Sequence, residues 1–247
     1  MVDAGAKVEA TGPPNLARRS ETMAVDDIPK IVFGKEYFLV DPSDAALIVI
    51  DMQNSFIATD GLFNVPGGQE IIPAINRLVN GAREHGVPVI WTQSDHSPPA
   101  GGLILDRSPL VKYRQELWRG HPSFDLFPDV VQPVQGESSV TKHKYDAFHG
   151  TDLEMILRNL GKGTIVITGV TTECCCESTA RAGFFRDLKV VVVSDAMASF
   201  TNEMHVQACD RIDLHFGRVM TSLAILDVFG SGHEAAMVAA PVGTATS

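Results

Sequence analysis

The sequence predicts an α/β fold in which a mostly parallel β-sheet lies between two layers of helices. Short apolar runs rich in β-branched residues alternate along the chain with segments of helical periodicity. The apolar runs are nearly continuous, which is typical of strands buried on both faces. The chain has 247 residues, of which 45% are hydrophobic, so it can form one large domain with a sizeable core.

The predicted strands are short, and the first of them, AALIVIDMQ, shows the apolar, β-branched pattern most clearly. Strands are predicted at 45–53, 87–93, 138–144, 164–170 and 189–199, with a last short strand within 217–230. Because helical segments separate these runs, we expect the strands to pair in parallel through helical crossovers. The carboxyl ends of such strands lie at one edge of the sheet, where functional sites of this fold class are found.

The predicted helices show apolar residues three or four positions apart and recognisable ends. Gly86 provides a C-terminal stop for the first long helix. A later helix begins with Thr151 as N-cap and Glu154 completing a capping box, and Gly161 ends it. Helices are predicted at 67–86, 151–161, 172–188 and about 202–215, with a last one within 217–230.

The two ends of the chain differ from its centre. Residues 1–29 are rich in Ala, Gly, Pro and charged residues without periodicity, which predicts a flexible arm or a segment that packs on a partner subunit. Residues 233–247 are predicted to form a loose tail. No repeat or linker interrupts the segment between them, so one domain is expected over 30–232.

Composition argues against several classes of partner. The net charge of −10 disfavours nucleic acid, because phosphate binding needs a basic surface. No apolar run approaches the length of a membrane span, and the N-terminus lacks the hydrophobic segment of a secretory signal. Three of the four cysteines are consecutive and do not form a disulfide framework, so we expect reduced thiols and a cytoplasmic location.

Three chemically active side chains occupy equivalent positions at the predicted carboxyl edge. Asp51 ends the first strand, Lys142 lies near the end of the third, and Cys175 follows the fourth at the start of a helix. Helix N–H groups, the helix dipole and a nearby lysine are expected to lower the pKa of Cys175 and favour its thiolate. An aspartate could take the thiol proton and pass it to a leaving amine, so the three form a coherent nucleophilic triad.

Each of these residues also has a structural interpretation when it is taken alone. An aspartate at a strand end often caps a turn, a lysine in a charged stretch usually faces solvent, and small buried cysteines commonly pack in the core. A zinc site is disfavoured, because three consecutive cysteines cannot all point at one ion and no C-x₂-C or Cys/His spacing is present. A redox pair of Cys174 and Cys176 is a minor alternative.

Taken together and in this order, three segments resemble the isochorismatase-like cysteine hydrolase superfamily, in its ureidoacrylate and N-carbamoylsarcosine amidohydrolase-like branch. The segments are ALIVIDMQNSF (46–56), VTKHKYDAFHGTDLEMILRNLG (140–161) and TIVITGVTTECCCESTARAGFFRDLKVVVVSDAMAS (164–199). The resemblance spans residues 42–230 approximately. It implies a Rossmann-like, three-layer fold with a six-stranded parallel sheet and assembly as a homodimer or homotetramer.

The resemblance implies a role for each residue of the triad. Asp51, Lys142 and Cys175 take the catalytic positions, with Cys175 as the nucleophile. Cys174 and Cys176 stand where the family has small apolar residues, so they are expected to pack. The same resemblance implies cleavage of a C–N bond in a small amide, ureido or carbamoyl compound through a covalent acyl-enzyme.

Further expectations concern the surroundings of the nucleophile. The backbone N–H groups of Thr171 and Cys175 would form the oxyanion hole, next to a cis peptide bond between Val170 and Thr171. Two positions depart from the family pattern: Asp146 stands where serine is usual, and Glu173 where asparagine is common. A negative charge added near Cys175 tends to raise the pKa of its thiol.

No metal or cofactor is expected. Nicotinamidases of the superfamily bind a metal through an aspartate and two histidines in a segment after the second strand. The corresponding segment here, TQSDHSPPAGG, offers Asp95 and His96 but not the spaced second histidine. This difference also argues against a nicotinamidase.

The substrate pocket is expected to be shaped by aromatic residues near the motifs, and Arg119 is a candidate partner for a substrate carboxylate, with a surface arginine as the alternative. The aromatic candidates are Phe56, Trp91, Trp118, Tyr145 and Phe148. Two other functions are alternatives: an isochorismatase-type vinyl-ether hydrolase that uses Asp51 without the thiol, and a non-catalytic binding member of the fold.

Overall fold

A computed structural model of the protein describes residues 38–233. The predicted N-terminal arm, and all but the first residue of the predicted tail, lie outside these residues. The strands form one all-parallel sheet in the order β3-β2-β1-β4-β5-β6. They are β1 (Ala45–Ile50), β2 (Val89–Ser94), β3 (Ser138–Lys142), β4 (Thr164–Val170), β5 (Lys189–Ala198) and β6 (Arg218–Met220).

Helices cover both faces of this sheet, which confirms the predicted three-layer α/β/α architecture. They are α1 (Asn54–Ile57), α2 (Ile72–Glu84), α3 (Leu103–Arg107), α4 (Pro109–Arg114), α5 (Leu153–Asn159), α6 (Glu177–Phe184), α7 (Asn202–His215) and α8 (Ser222–Ser231). Alternate residues of the fully buried β1 enter two separate cores. Odd-numbered positions pack with α2 and α8, and even-numbered positions pack with α5, α6 and α7.

Most predicted elements are present, with differences at their ends. Strand β4 and helix α7 have the predicted bounds, whereas α2 begins five residues later than predicted. The predicted capping box of α5 is wrong. Thr151 donates its hydroxyl to the carbonyl of Ala147, and Glu154 pairs with Arg158 and Arg186. Helices α1, α3 and α4 lie in segments where no helix was predicted.

The predicted helix 172–188 consists of two parts. Residues Thr172–Cys176 form a π-helical turn, and only Glu177–Phe184 is regular α-helix. A π-helical turn inserted at a helix start is a local irregularity that often accompanies functional sites. The three consecutive cysteines therefore lie on this turn, directly after the carboxyl end of β4.

The centre of the sheet is also the point where the chain reverses direction. From β1 the chain proceeds to β2 and β3 on one side, and then crosses to β4 on the other side of β1. Such a switch point opens a crevice at the carboxyl ends of the two central strands. Gly169 of β4 pairs with Ile50 there and has a φ of +111°. A Cβ at Gly169 would overlap the carbonyl oxygen of Ile50, so only glycine allows this close approach.

Every helix within residues 38–233 is too short or too polar to cross a lipid bilayer.

Candidate active site

Asp51 follows β1 directly, at the centre of the crevice. Its side chain is fully buried, and its backbone has a φ of +50°, which turns the chain sharply at the strand end. Oδ1 accepts a hydrogen bond from the hydroxyl of Thr92 at 2.7 Å. Oδ2 accepts from the hydroxyl of Ser94 at 2.9 Å and lies 2.7 Å from Nζ of Lys142. The carboxylate is therefore held in one orientation by neighbouring strands.

Lys142 ends β3, two strands away from β1, and reaches Asp51 across the end of β2. Its ammonium group donates to the hydroxyl of Ser94 at 2.7 Å and lies 3.4 Å from Sγ of Cys175. Burial alone lowers the pKa of Lys142, but the charges of Asp51 and then Cys175 outweigh it and raise the pKa above its ordinary value. Lys142 is therefore a buried cation that contacts both other members of the triad.

Cys175 lies on the π-helical turn with 5% of its surface exposed. A hydrogen bond with Cys174, followed by burial and the charge of Asp51, raises the pKa of Cys175 well above its ordinary value, and Lys142 only partly opposes this. The lowered pKa expected from the helix start is therefore wrong. The same hydrogen bond lowers the pKa of Cys174.

The backbone before Cys175 has the predicted cis peptide bond between Val170 and Thr171. The carbonyl of Thr171 accepts the N–H groups of Cys174 at 3.2 Å and of Cys176 at 3.1 Å. The N–H of Cys175 lies between these two donors and does not share their acceptor. This turn thus orders the backbone around the nucleophilic sulfur.

The two departures from the family pattern have different surroundings. Asp146 accepts the N–H of Phe148 at 2.8 Å, so its carboxylate closes a tight turn after β3. Oε2 of Glu173 is buried without a hydrogen-bond partner. The charge of Glu173 acts on His205, whose Nδ1 is 2.8 Å from the hydroxyl of Thr172. The charge of Glu173 also acts on the thiols of Cys174 and Cys176, in the direction that raises their pKa values.

The segment that corresponds to the metal site of nicotinamidases bonds to other groups of the protein. Oδ1 of Asp95 accepts the N–H of Ser97 at 2.9 Å, and Oδ2 lies 3.8 Å from Nε of Arg119. His96 is 4% exposed. Within residues 38–233, no group of three or more His, Cys, Asp or Glu side chains is arranged to hold a metal ion.

One aromatic pocket candidate, Tyr145, lies near the catalytic groups, and a second, Trp118, belongs to the segment that bonds to the backbone of His96. Burial, followed by the charges of Cys174 and Cys175, raises the pKa of Tyr145, which places its half-exposed phenol beside the cysteines. Trp118 follows Leu117, whose carbonyl accepts the N–H of His96 at 2.9 Å. Arg119 is largely exposed and donates to the hydroxyl of Thr141, so it lies at the rim beside Asp95.

The other aromatic candidates are buried in the two cores, and their role in a substrate pocket stays a prediction. Trp91 donates its indole N–H to Glu137, which precedes β3 at the amino edge of the sheet. Phe56 packs in the core on the α2 side and stacks on Phe63. Phe148 lies in the other core, with the guanidinium of Arg186 above its ring at 4.7 Å.

Sequence reasoning missed three polar residues that position the triad. Thr92 and Ser94 of β2 bind the two oxygens of Asp51. Gln53 is fully buried and holds Ser94 by accepting its N–H at 2.8 Å and donating to its carbonyl at 3.1 Å. The available signal was the spacing of Thr92 and Ser94, because residues two apart in a strand share one face.

A cavity of about 340 Å³ lies beside α1, away from the triad. Ser55, Asp60, Glu116 and His121 are among the residues that line it, and none of the catalytic groups does. Ser55 donates its hydroxyl to the buried carboxylate of Glu116. The catalytic groups do not line this cavity, so the candidate active site is identified from its side chains and their contacts.

The fold and the site together define the class of protein. A parallel α/β domain that brings a buried aspartate–lysine pair against a cysteine thiol has the components of a hydrolytic centre. The chain matches the Isochorismatase domain over residues 45–223. It belongs to this family, within the isochorismatase-like cysteine hydrolase superfamily, and is a hydrolase.

Similar proteins agree with this assignment. Ureidoacrylate amidohydrolase RutB of Methylobacterium radiotolerans is 32% identical over 216 residues, covering 79% of this chain and 83% of the relative. A cysteine hydrolase structure from Pseudomonas syringae pv. phaseolicola has a TM-score of 0.75 and 29% identity, covering 80% of this chain and 99% of that one. N-carbamoylsarcosine amidase from Thermoplasma acidophilum has a TM-score of 0.61 and 26% identity, covering 72% and 96%.

Proposed function

We propose that this protein is a cysteine-dependent amidohydrolase that cleaves a C–N bond of a small amide, ureido or carbamoyl compound. The observation that carries the proposal is the contact of the buried Lys142 ammonium with both Asp51 at 2.7 Å and Cys175 at 3.4 Å. This contact joins a base, a cation and a nucleophile in one water-poor site. Two of the similar proteins bear amidohydrolase or amidase names, for ureidoacrylate and N-carbamoylsarcosine.

In the first half of the reaction, Asp51 removes the proton of Cys175. Each carboxylate oxygen can accept two hydrogen bonds, and Oδ1 of Asp51 has one accepting position left beside Thr92. The thiolate then attacks the substrate carbonyl, and the backbone N–H groups of Thr171 and Cys175 bind the oxygen that becomes negative. Because the pKa of Cys175 is raised, thiolate formation needs a base, and Asp51 takes this role.

In the second half, the protonated Asp51 gives its proton to the leaving nitrogen, and the C–N bond breaks to form a thioester with Cys175. Asp51 is then a carboxylate again and takes a proton from water, whose oxygen attacks the thioester. The acid leaves and Cys175 recovers its proton. Lys142 stays cationic throughout and stabilises whichever of Asp51 and Cys175 carries negative charge.

The test is ammonia release from a panel of ureidoacrylate, N-carbamoyl amino acids, nicotinamide and aliphatic amides. We expect release from one ureido or carbamoyl class, and loss of at least about a thousandfold in activity for Cys175→Ala. Cys176→Ala is the matched control, because Cys176 is also buried on the same turn but packs in the core. Substantial hydrolysis by Cys175→Ala would overturn the acyl-enzyme scheme.

A vinyl-ether hydrolase of the isochorismatase type is the second candidate, favoured by the match to the Isochorismatase domain. That chemistry needs the acid–base function of Asp51 but not the thiol. It predicts that Cys175→Ala retains activity on isochorismate while Asp51→Asn loses it. The amidohydrolase proposal predicts loss in both variants on its own substrates.

The proposal extends to the surroundings of the enzyme. The cysteines of the described residues are free thiols, which fits a reducing compartment, so we propose a cytoplasmic location. Assembly as a homodimer or homotetramer, as the family resemblance implies, is part of the same proposal. Analytical ultracentrifugation of the full chain would test the assembly.

A further inference from the structure

The described residues contain four buried side-chain polar atoms without a hydrogen-bond partner, and two of them lie beside β2. These two are Nδ1 of His96 and Nε1 of Trp118; the others are Oε2 of Glu173 and Oγ of Ser199, on the β4 and β5 side of Asp51. A buried polar atom without a partner costs about 1–3 kcal/mol. Such an atom at a functional edge indicates a partner that binds there.

The backbone holds the segments of His96 and Trp118 together next to the triad. The N–H of His96 donates to the carbonyl of Leu117 at 2.9 Å, directly before Trp118. The N–H of Asp95, directly before His96, donates to the carbonyl of Lys142 at 2.9 Å. His96 is 4% exposed, so its imidazole is directed inward.

The charges of Lys142 and Asp51 both act on the buried ring of His96. Burial, followed by the charge of Lys142, lowers the pKa of His96 to about 4, while Asp51 acts in the opposite direction. The imidazole is therefore neutral near pH 7 and can place its one proton on Nδ1. The indole Nε1 of Trp118 can only donate.

We propose that His96 and Trp118 form a recognition subsite that donates hydrogen bonds to a carbonyl or carboxylate oxygen of the substrate. This oxygen is distinct from that of the attacked carbonyl, which the Thr171 and Cys175 N–H groups bind on the β4 side. The inference rests on the proposed amidohydrolase function and adds a chemical feature to its substrate: a second acceptor oxygen beside the ureido or amide group.

The subsite selects substrates by the cost of leaving its donors unpaired. A ligand with an oxygen at this position satisfies both N–H groups, whereas an apolar group of the same shape buries them without partners. His96 and Trp118 are therefore specificity-determining residues that take no part in bond cleavage. Removing them lowers the affinity for substrate and leaves the reactivity of Cys175 unchanged.

The test compares two probes in the Cys175→Ala protein, so that binding is measured without turnover. N-carbamoyl-β-alanine carries a carboxylate, and isopentylurea carries an isopropyl group of similar shape in its place. Calorimetry should show that Trp118→Phe weakens binding of N-carbamoyl-β-alanine about tenfold, with less than about a twofold change for isopentylurea. His96→Leu should give the same selective loss, and His96→Asn, whose amide keeps a donor near Nδ1, should restore most of the affinity.

Trp91→Phe is the matched control, because the indole of Trp91 bonds to Glu137 at the other edge of the sheet. It should leave both affinities unchanged. Equal losses for both probes in Trp118→Phe, no loss for either, or binding of neither probe would overturn the subsite. Selective binding together with an inactive substrate panel would instead overturn the proposed hydrolysis and leave the subsite standing.

Discussion

Asp51 and Glu177 are both buried, ion-paired carboxylates, but their partners differ in exposure. Asp51 pairs with Lys142, and both side chains are fully buried. Glu177 is also buried, but its partners Arg181 and Arg211 are 38% and 42% exposed. The arginines keep much of their contact with water, so burial of Glu177 is compensated at modest cost.

The difference separates an ion pair that stabilises the fold from one that the proposed reaction uses. Arg211 of α7 binds both oxygens of Glu177 of α6, so this pair joins two helices. The Asp51–Lys142 pair has both charges removed from water, which is an expensive way to stabilise a fold. A completely buried pair in contact with a thiol is instead typical of catalytic groups.

Asp51→Asn should produce the largest effect. The amide keeps the shape of the carboxylate but leaves the Lys142 ammonium buried without an anion. We expect activity to fall by about a thousandfold or more and stability to fall by about 3–5 kcal/mol. Steady-state kinetics and urea unfolding measure the two losses. Activity within tenfold of the wild type would mean that Asp51 is not the base.

Ser94→Ala should produce an intermediate effect. The hydroxyl of Ser94 donates to Asp51 and accepts from Lys142, so its removal weakens the orientation of both. We expect about 2 kcal/mol of destabilisation and about a tenfold loss of kcat. Ser199→Ala is the matched control, since it removes a buried hydroxyl without a partner at the end of β5 and should be neutral. Equal effects of the two changes would show that the Ser94 bridge has no special role.

Glu177→Gln should reduce stability without reducing activity. The change removes the charge that two arginines bind, on helices that do not carry the triad. We expect a loss of about 1–2 kcal/mol in urea unfolding and a kcat within twofold of the wild type. A large loss of kcat together with an unchanged unfolding midpoint would contradict the separation of the two ion pairs.

The smallest effect concerns the pH dependence of stability. Burial opposes ionisation of Glu177, but hydrogen bonds from Arg211 and Arg181 lower its pKa below the ordinary value of 4.5. Its contribution is therefore present above pH 4.5 and is lost as the pH falls through the lowered pKa. We expect acid to destabilise the wild type more steeply than Glu177→Gln in thermal unfolding. Parallel curves would exclude this linkage.

The pH dependence of stability that Lys142 contributes has the opposite sign to that of Glu177, because the pKa of Lys142 is raised. Its contribution is fully present below its ordinary value of 10.5 and is lost only as the pH rises through the raised value. The difference between the acid unfolding curves of the wild type and of Glu177→Gln therefore reports the Glu177 pair, since Lys142 stays protonated throughout the acid range.

The sequence was sufficient for the parts of the site that depend on topology. Asp51, Lys142 and Cys175 each follow or end a predicted strand, and parallel pairing brings strand ends to one edge. The bounds of β4 and α7 followed from their apolar patterns. These predictions succeed because burial on a sheet or helix face leaves a periodic signal.

The features that were not predicted depend on contacts formed by the fold or on local backbone geometry, and apolar periodicity reveals neither. Trp91 lies one residue from Thr92, yet successive strand residues point to opposite faces, so the indole enters the core while the hydroxyl reaches Asp51. For the raised pKa of Cys175, burial and the charge of Asp51, which is distant in sequence, add to a hydrogen bond with the adjacent Cys174. The π-helical turn has the same apolar spacing as an α-helix over its few residues, so periodicity could not reveal it.

The order of the strands determines which catalytic groups each fragment would contain if the chain were cleaved between β3 and β4. Asp51, Ser94 and Lys142 all precede the exposed Gly150, whereas Cys175 follows it. A cleavage at Gly150 would produce one fragment with the acid–base pair and another with the nucleophile, held together by the pairing of β1 with β4 and by the packing of α2 on α8. Under the proposed mechanism, neither fragment alone hydrolyses substrate. Hydrolysis regained on mixing the two fragments would show that they reassemble where β1 pairs with β4.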